Sequence, residues 1–203
     1  MLRIPLIGIL GFVVLYIYST TLYPGGSQAD PNALGFDWIH NYWCNLTNEL
    51  GMNGQPNPAR PFAIAAMTLL CTSLWVFFIQ FAQTFAKSKT WRVLIQIGGT
   101  LSMISAIFIF TAYHDVMTTL SSIFGLFVVI GIIREIYQSN LVAYKVSGVF
   151  CIALLGLNNY IYYTEHFLHT LPLLQKFTFA VVLTWIVGLN EEVARLHKEN
   201  MSN

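Results

Sequence analysis

Side chains able to do chemistry are scarce in this chain and gather in three short stretches. YIYYTEHFLHTLPLLQ, residues 160–175, brings Glu165, His166 and His169 together at the end of an apolar run. TAYHDV, residues 111–116, sets His114 beside Asp115, and FDWIHN, residues 36–41, carries Asp37, His40 and Asn41. Imidazoles at 166 and 169, with His114 as a third and Asp115 or Glu165 as a carboxylate, suit zinc with an open coordination position. The spacing of His166 and His169 is not the i, i+4 metalloprotease pattern with an intervening glutamate. Haem held by His114 and His169 ranks below zinc, because paired histidines on two helices are its only support and no CxxCH is present. A metal-free alternative is a polar pocket for a lipid head group, lined by Asp37, His40, Asn41, Asn158 and Tyr162. Arg60 or Lys176 would there meet a phosphate. The third alternative is structural: these groups make interhelical hydrogen bonds and interfacial anchors, worth about 0.6–2 kcal/mol each.

The elements that must position these residues are membrane helices. Of 203 residues, 56% are hydrophobic and 9% charged, where a soluble domain has roughly 25% charged. Six apolar segments reach the length of about 20 residues that crosses a bilayer: 4–23, 61–84, 93–112, 117–137, 143–163 and 172–190. The predicted class is all-α, a polytopic integral membrane bundle forming a single domain. The first segment is read as a retained helix, since YSTTLYPGG offers no small-x-small cleavage site. A net charge of +1 leaves no electrostatic footprint for nucleic acid. Cys71 and Cys151 lie in apolar runs and Cys44 alone in a polar loop, so no disulfide is implied.

Basic residues set the expected orientation. Arg3, Lys87, Lys89, Arg92, Arg134, Lys145, Arg195 and Lys198 would all share one face of a six-helix bundle, leaving Arg60 and Lys176 on the other. By the positive-inside rule both termini are cytoplasmic, in the inner membrane if the source is bacterial. All three polar stretches then face outward. On a helix, Asn158, Tyr162, Glu165 and His169 form one stripe, and His114, Thr118, Ser121 and Gly125 another. Groups of this kind at membrane depth face the bundle interior and pair, so the two stripes are expected to face each other. Gly98, Ser102 and Ser105 give the third helix a small-residue face suited to close contact.

Residues 24–60 form the one substantial extracytoplasmic loop. Phe36, Trp38, Tyr42 and Trp43 are too many aromatics for disorder. Positions 36–50 are expected to form an interfacial helix, begun at Asp37 and stopped by Gly51, which either lies on the bilayer or acts as a lid over a pocket. NGQPNPARP supplies turns before the second helix. Asn45-Leu46-Thr47 is a formal glycosylation sequon.

The opening helix ending in LYPGG, the loop motif HNYWCNLTNELGMNGQPNPARP and five further helices resemble a group of six-helix bacterial membrane proteins. More distantly, the chain is similar to the DRAM-like proteins of eukaryotic endomembranes. The resemblance covers nearly the whole chain and implies an architecture, with no reaction attached. The alkaline ceramidase and progestin-receptor superfamily also places histidines, a serine and an aspartate at helix ends. This sequence departs from it, with six spans instead of seven and HxxH where that superfamily has HxxxH, so no catalytic residue carries over. The expected role is binding of membrane lipids or a membrane-protein partner through the outer face, as an accessory subunit of a larger complex. The alternative is a zinc-type hydrolase acting on a lipid at that face.

Overall fold

Apolar backbone in lipid has no water to bond, so its N–H and C=O groups must be satisfied within each segment, which selects helices. The computed structural model describes residues 3–137 and 139–202. It contains helices α1 (Ile4–Leu22), α2 (Arg60–Phe85), α3 (Lys89–Ile107), α4 (His114–Tyr137), α5 (Val142–Thr164) and α6 (Leu171–Ser202). Short 3-10 turns occupy Trp43–Thr47, Phe108–Phe110 and Leu168–Thr170. Among the described residues, six helices are long and apolar enough to cross a membrane. Prolines open α1 and α2, at Pro5 and Pro61, where the missing N–H costs nothing.

Several helix boundaries shift from the sequence expectation, three of them by four residues or more. α3 starts at Lys89, not 93, and ends at Ile107, not 112; α6 runs on to Ser202, not 190. Hydropathy marks only the part of a helix inside hydrocarbon, whereas backbone hydrogen bonding continues through polar ends such as Lys89 and the end of α6; the apolar run after Ile107 instead tightens into the 3-10 turn Phe108–Phe110. At about 1.5 Å per residue the 32-residue α6 measures about 48 Å, well beyond a hydrocarbon core of roughly 30 Å.

Lipid tails are as apolar as leucine, so helix association rests on close packing and interhelical hydrogen bonds. α2 is the central helix, touching α1, α3, α4 and α6, while α4, α5 and α6 close the other side. Phe77, Phe78 and Phe81 of α2 are buried with Phe12 and Tyr16 of α1, Ile132 of α4 and Leu189 of α6. Small residues bring backbones together. Gly8 of α1 lies directly over Ser73 of α2, and a Cβ at Gly99 of α3 would stand 2.6 Å from the Phe78 ring. The small face of α3 does pack closely: Gly98 meets Val128, and Ser102 donates to the Ser121 carbonyl of α4 at 2.9 Å.

That contact corrects one expectation. The α4 stripe of His114, Thr118, Ser121 and Gly125 was expected to face α5, but Ser121 and Gly125 lie against Ser102 of α3. Small residues allow the closest approach, so α3 takes that face. The neighbouring face, displaced by one residue, carries Asp115 and Thr119 to α5, where they meet Tyr162 and Tyr163.

The basic end is closed by a buried acid. Glu135 of α4 accepts the Lys87 N–H at 3.0 Å and the Arg134 guanidinium at 2.8 Å. Arg134 also lies over the Trp91 ring, 4.6 Å from its centroid. The connection from α2 to α3 is thereby fastened to α4.

Candidate functional site

At the opposite end, the connection from α1 to α2 folds into an ordered cap with little regular structure. Its backbone polar groups therefore need side-chain partners, and three buried asparagines supply them. Asn41 is completely enclosed: its Nδ2 donates to the Gly26 carbonyl at 2.9 Å, and its Oδ1 accepts the Asp37 N–H at 2.8 Å. Asn45 Oδ1 accepts the Tyr42 N–H at 2.6 Å. Asn57 Nδ2 reaches the carbonyls of Asn45, Leu46 and Asn48 at 3.3, 3.1 and 2.9 Å, and its Oδ1 accepts the Ala59 N–H at 3.1 Å. Gly26 holds φ at +81°, with Met52 and Asn53 packed against the place a Cβ would occupy.

The expected helix over 36–50 does not form; only Trp43–Thr47 is helical, as a 3-10 turn. Asp37 Oδ1 accepts the N–H groups of Ile39 and His40 at 2.9 and 3.1 Å, making a local turn. Asn45 then takes the Tyr42 N–H, and Tyr42 is extended. Asp and Asn side chains compete with helix hydrogen bonding in this way. The same packing buries the sequon: Asn45 is enclosed with its carboxamide engaged, so the folded chain does not offer it for glycosylation.

Aromatic rings seat the cap on the bundle. Tyr16 of α1 meets Trp43 edge-on at 4.7 Å between centroids and donates its hydroxyl to the Trp43 carbonyl at 2.8 Å. Tyr23, Phe36 and Trp38 extend the cluster. From α6, Lys176 Nζ stands 5.6 Å from the Phe36 ring and 5.7 Å from that of Trp43, and donates to the carbonyls of Asn41 and Pro172. Gln175 Oε1 accepts the Trp43 N–H at 3.3 Å. Burial raises the Tyr23 and Tyr42 hydroxyls above their ordinary value. It also pushes the Cys44 thiol up to about 11, which makes it a poor nucleophile.

The residues expected to line a pocket are spent on this architecture. Asn41 is enclosed, so no ligand reaches it. Asp37 Oδ2 pairs with His40 Nδ1 at 2.8 Å on the partly exposed margin of the cap. Burial opposes ionisation of Asp37, but the hydrogen bonds from the His40 ring and from the Ile39 and His40 N–H groups outweigh it and lower its pKa. Arg60 donates to the Thr47 carbonyl at 3.2 Å and pairs with Glu49 at 3.1 Å. Asn158 bonds Thr178 Oγ1 at 2.6 Å, tying α5 to α6. Tyr162 donates to Asp115 Oδ1 at 3.0 Å.

The histidine cluster assembles only in part. His114 Nδ1 meets Asp115 Oδ1 at 3.0 Å, and Asp115 is in turn held by Tyr162. The expected continuation through Glu165 and His169 needs α5 to run on, but it ends at Thr164. Glu165 and Phe167 take left-handed conformations, φ +58° and +60°, which turn the chain away and leave Glu165, His166 and His169 exposed. Among the described residues no three His, Cys, Asp or Glu side chains come together as metal ligands. The zinc set of His114, Asp115, Glu165, His166 and His169 is therefore not assembled in this fold.

Sequence reasoning passed over Asn57, Tyr16 and Gln175. The signal for Asn57 was present in NYWCNLTNELGMNGQPNP, where asparagine recurs at a density that favours side-chain-to-backbone bonding; Tyr16 and Gln175 sit in apolar helices and carried none. Together these features define an all-helical bundle of six apolar spans, closed at one end by a packed cap. Comparison with protein-family models, characterised proteins and solved structures gave no match.

Proposed function

We propose that this chain is an integral membrane protein that works by binding, offering its cap to a partner protein outside the cytoplasm. The observation that carries this reading is a set of large apolar side chains left exposed on the hydrogen-bonded cap. Leu34 is 97% exposed, and Trp38, Ile39 and Leu50 are about half exposed. Apolar groups presented in this way mark interaction surfaces. Leu34 is held out by the pairing of its segment with Gly25, and Leu50 by pairing with Pro56. A lipid phosphate is less well served, because Arg60 and Lys176 are already engaged within the cap. The hydrolase alternative is less well supported, because no three His, Cys, Asp or Glu side chains come together among the described residues. As an accessory subunit, the chain would add this surface to a larger membrane complex.

The orientation follows the charge bias, with both termini cytoplasmic and, in a bacterium, the inner membrane as host. Cysteines placed at Ala29 and Thr170 should react with an impermeant thiol reagent from outside, and one at Ser88 should not. Labelling of Ser88 alone would invert the orientation. The binding reading is tested by placing a photocrosslinking residue at Ile39 in cells. A discrete adduct heavier than the chain by the mass of another protein, and lost on Leu34→Asp, is expected. Adducts with lipid only, or with nothing, overturn it.

A further inference from the structure

The lateral face of α3 carries a polar group that the cap does not use. Arg92 donates to the Ala86 carbonyl at 3.2 Å, which holds its charge at the connection between α2 and α3. One turn further along α3 is Gln96, about 6 Å deeper along the axis. Its neighbours Val93, Leu94, Ile97 and Leu101 are exposed, as they would be toward lipid. Gln96, Ile97, Thr100 and Leu101 line a shallow groove of about 190 Å³ on this face.

Thr100 is already satisfied. It donates to the Gln96 backbone carbonyl at 2.7 Å and accepts the Trp75 indole N–H at 3.0 Å. The Gln96 carboxamide, by contrast, has no hydrogen-bond partner among the described residues. A polar group left unpaired in hydrocarbon is costly, and glutamine pairs across helices when it can. Its inner alternatives are closed, since the opposite face of α3 is committed to α4 through Gly98 and Ser102 and to α2 through Gly99.

We infer that this groove is the contact between two copies of the chain, related by a twofold axis beside α3, with the two Gln96 carboxamides exchanging hydrogen bonds. A carboxamide carries both an acceptor oxygen and an NH2 donor, so it is complementary to itself. An isologous interface brings the same residue from both copies together near its axis. An acyl chain filling the groove would satisfy neither half of the group. The contact lies on the flank of the bundle, away from the cap, so its existence is independent of the partner reading above.

The test uses the full chain in its native membrane. Ile97→Cys should form a disulfide-linked dimer under mild oxidation, while Phe150→Cys, exposed on α5, should not. Adding Gln96→Leu to Ile97→Cys should lower the dimer yield about three- to tenfold, the range that one or two interhelical hydrogen bonds supply in lipid. Gln96 is not enclosed, so the leucine variant should keep the wild-type melting temperature; a variant that does not is replaced by Gln96→Met. Three results would overturn the inference: no dimer from Ile97→Cys, equal yields from Ile97→Cys and Phe150→Cys, or a yield unchanged when the carboxamide is removed. An acyl chain seated in the groove gives the first of these.

Discussion

Asn57 gives the sharpest test of how the cap is held. Its NH2 group has two protons to share among the carbonyls of Asn45, Leu46 and Asn48, and its oxygen takes the Ala59 N–H. That makes about three hydrogen bonds at roughly 1 kcal/mol net each, in a site where the freed groups stay largely enclosed. Asn57→Ala should therefore weaken closure of the cap by about 3 kcal/mol. At 1.4 kcal/mol per factor of ten, this raises the open population about a hundredfold. Amide hydrogen exchange at Leu46–Asn48, measured in lipid nanodiscs, reads that change directly. Asn57→Asp separates bonding from packing. It keeps the shape but turns an oxygen toward three carbonyls, so it should open the cap more than alanine does. Exchange within threefold of wild type for alanine, or an aspartate variant milder than alanine, would refute the account.

Three further outcomes are expected. Gly99→Ala places a Cβ 2.6 Å from the Phe78 ring and 2.9 Å from its Cβ; such overpacking costs about 1–3 kcal/mol and should lower the melting temperature in detergent. Folding lowers the Asp37 pKa below 3.8, so its contribution to stability is complete above that value and is lost as pH falls through the folded pKa. Fluorescence of the cap tryptophans should show this acid transition, and Asp37→Asn should remove it. Cys44, pushed up to about 11 by burial, should react with maleimide at neutral pH much more slowly in the folded chain than after unfolding, and much more slowly than a cysteine placed at the exposed Ala29.

The helices were legible because their signal is local: a run of about 20 apolar residues can do little else in lipid. Their polar ends were not, since Lys89 and the residues beyond Asn190 continue a helix that hydropathy no longer marks. The small face of α3 could be read from Gly98 and Ser102, but which helix would claim the facing stripe of α4 could not. Faces one residue apart differ by about 100°, and the choice rested on the competition between α3 and α5 for small residues. The histidine cluster was misjudged for a different reason. Helical periodicity joins Glu165 and His169 to Tyr162 only if the helix continues, and two left-handed residues, Glu165 and Phe167, interrupt it where no glycine gives warning.

The cap shows why polar residues outside the membrane need not mean chemistry. A connection from residue 23 to 59 with no regular structure beyond one 3-10 turn and isolated bridges must still pair its backbone groups, and here Asp37, Asn41, Asn45, Asn57 and Arg60 do so. Those residue types are the ones that would otherwise suggest a catalytic or binding pocket. Once they are committed inward, the large apolar groups left exposed on the cap include Leu34, Trp38, Ile39 and Leu50, two of them anchored by the pairings of Leu34 with Gly25 and of Leu50 with Pro56. Apolar groups on an ordered, hydrogen-bonded loop suit recognition of a matching surface, because less conformational entropy is lost on docking than from a free loop. We propose that recognition rests on these apolar groups, which stand among exposed polar residues of the same cap, Gln28, Asp30, Asn32, Asn48, Glu49 and Gln55.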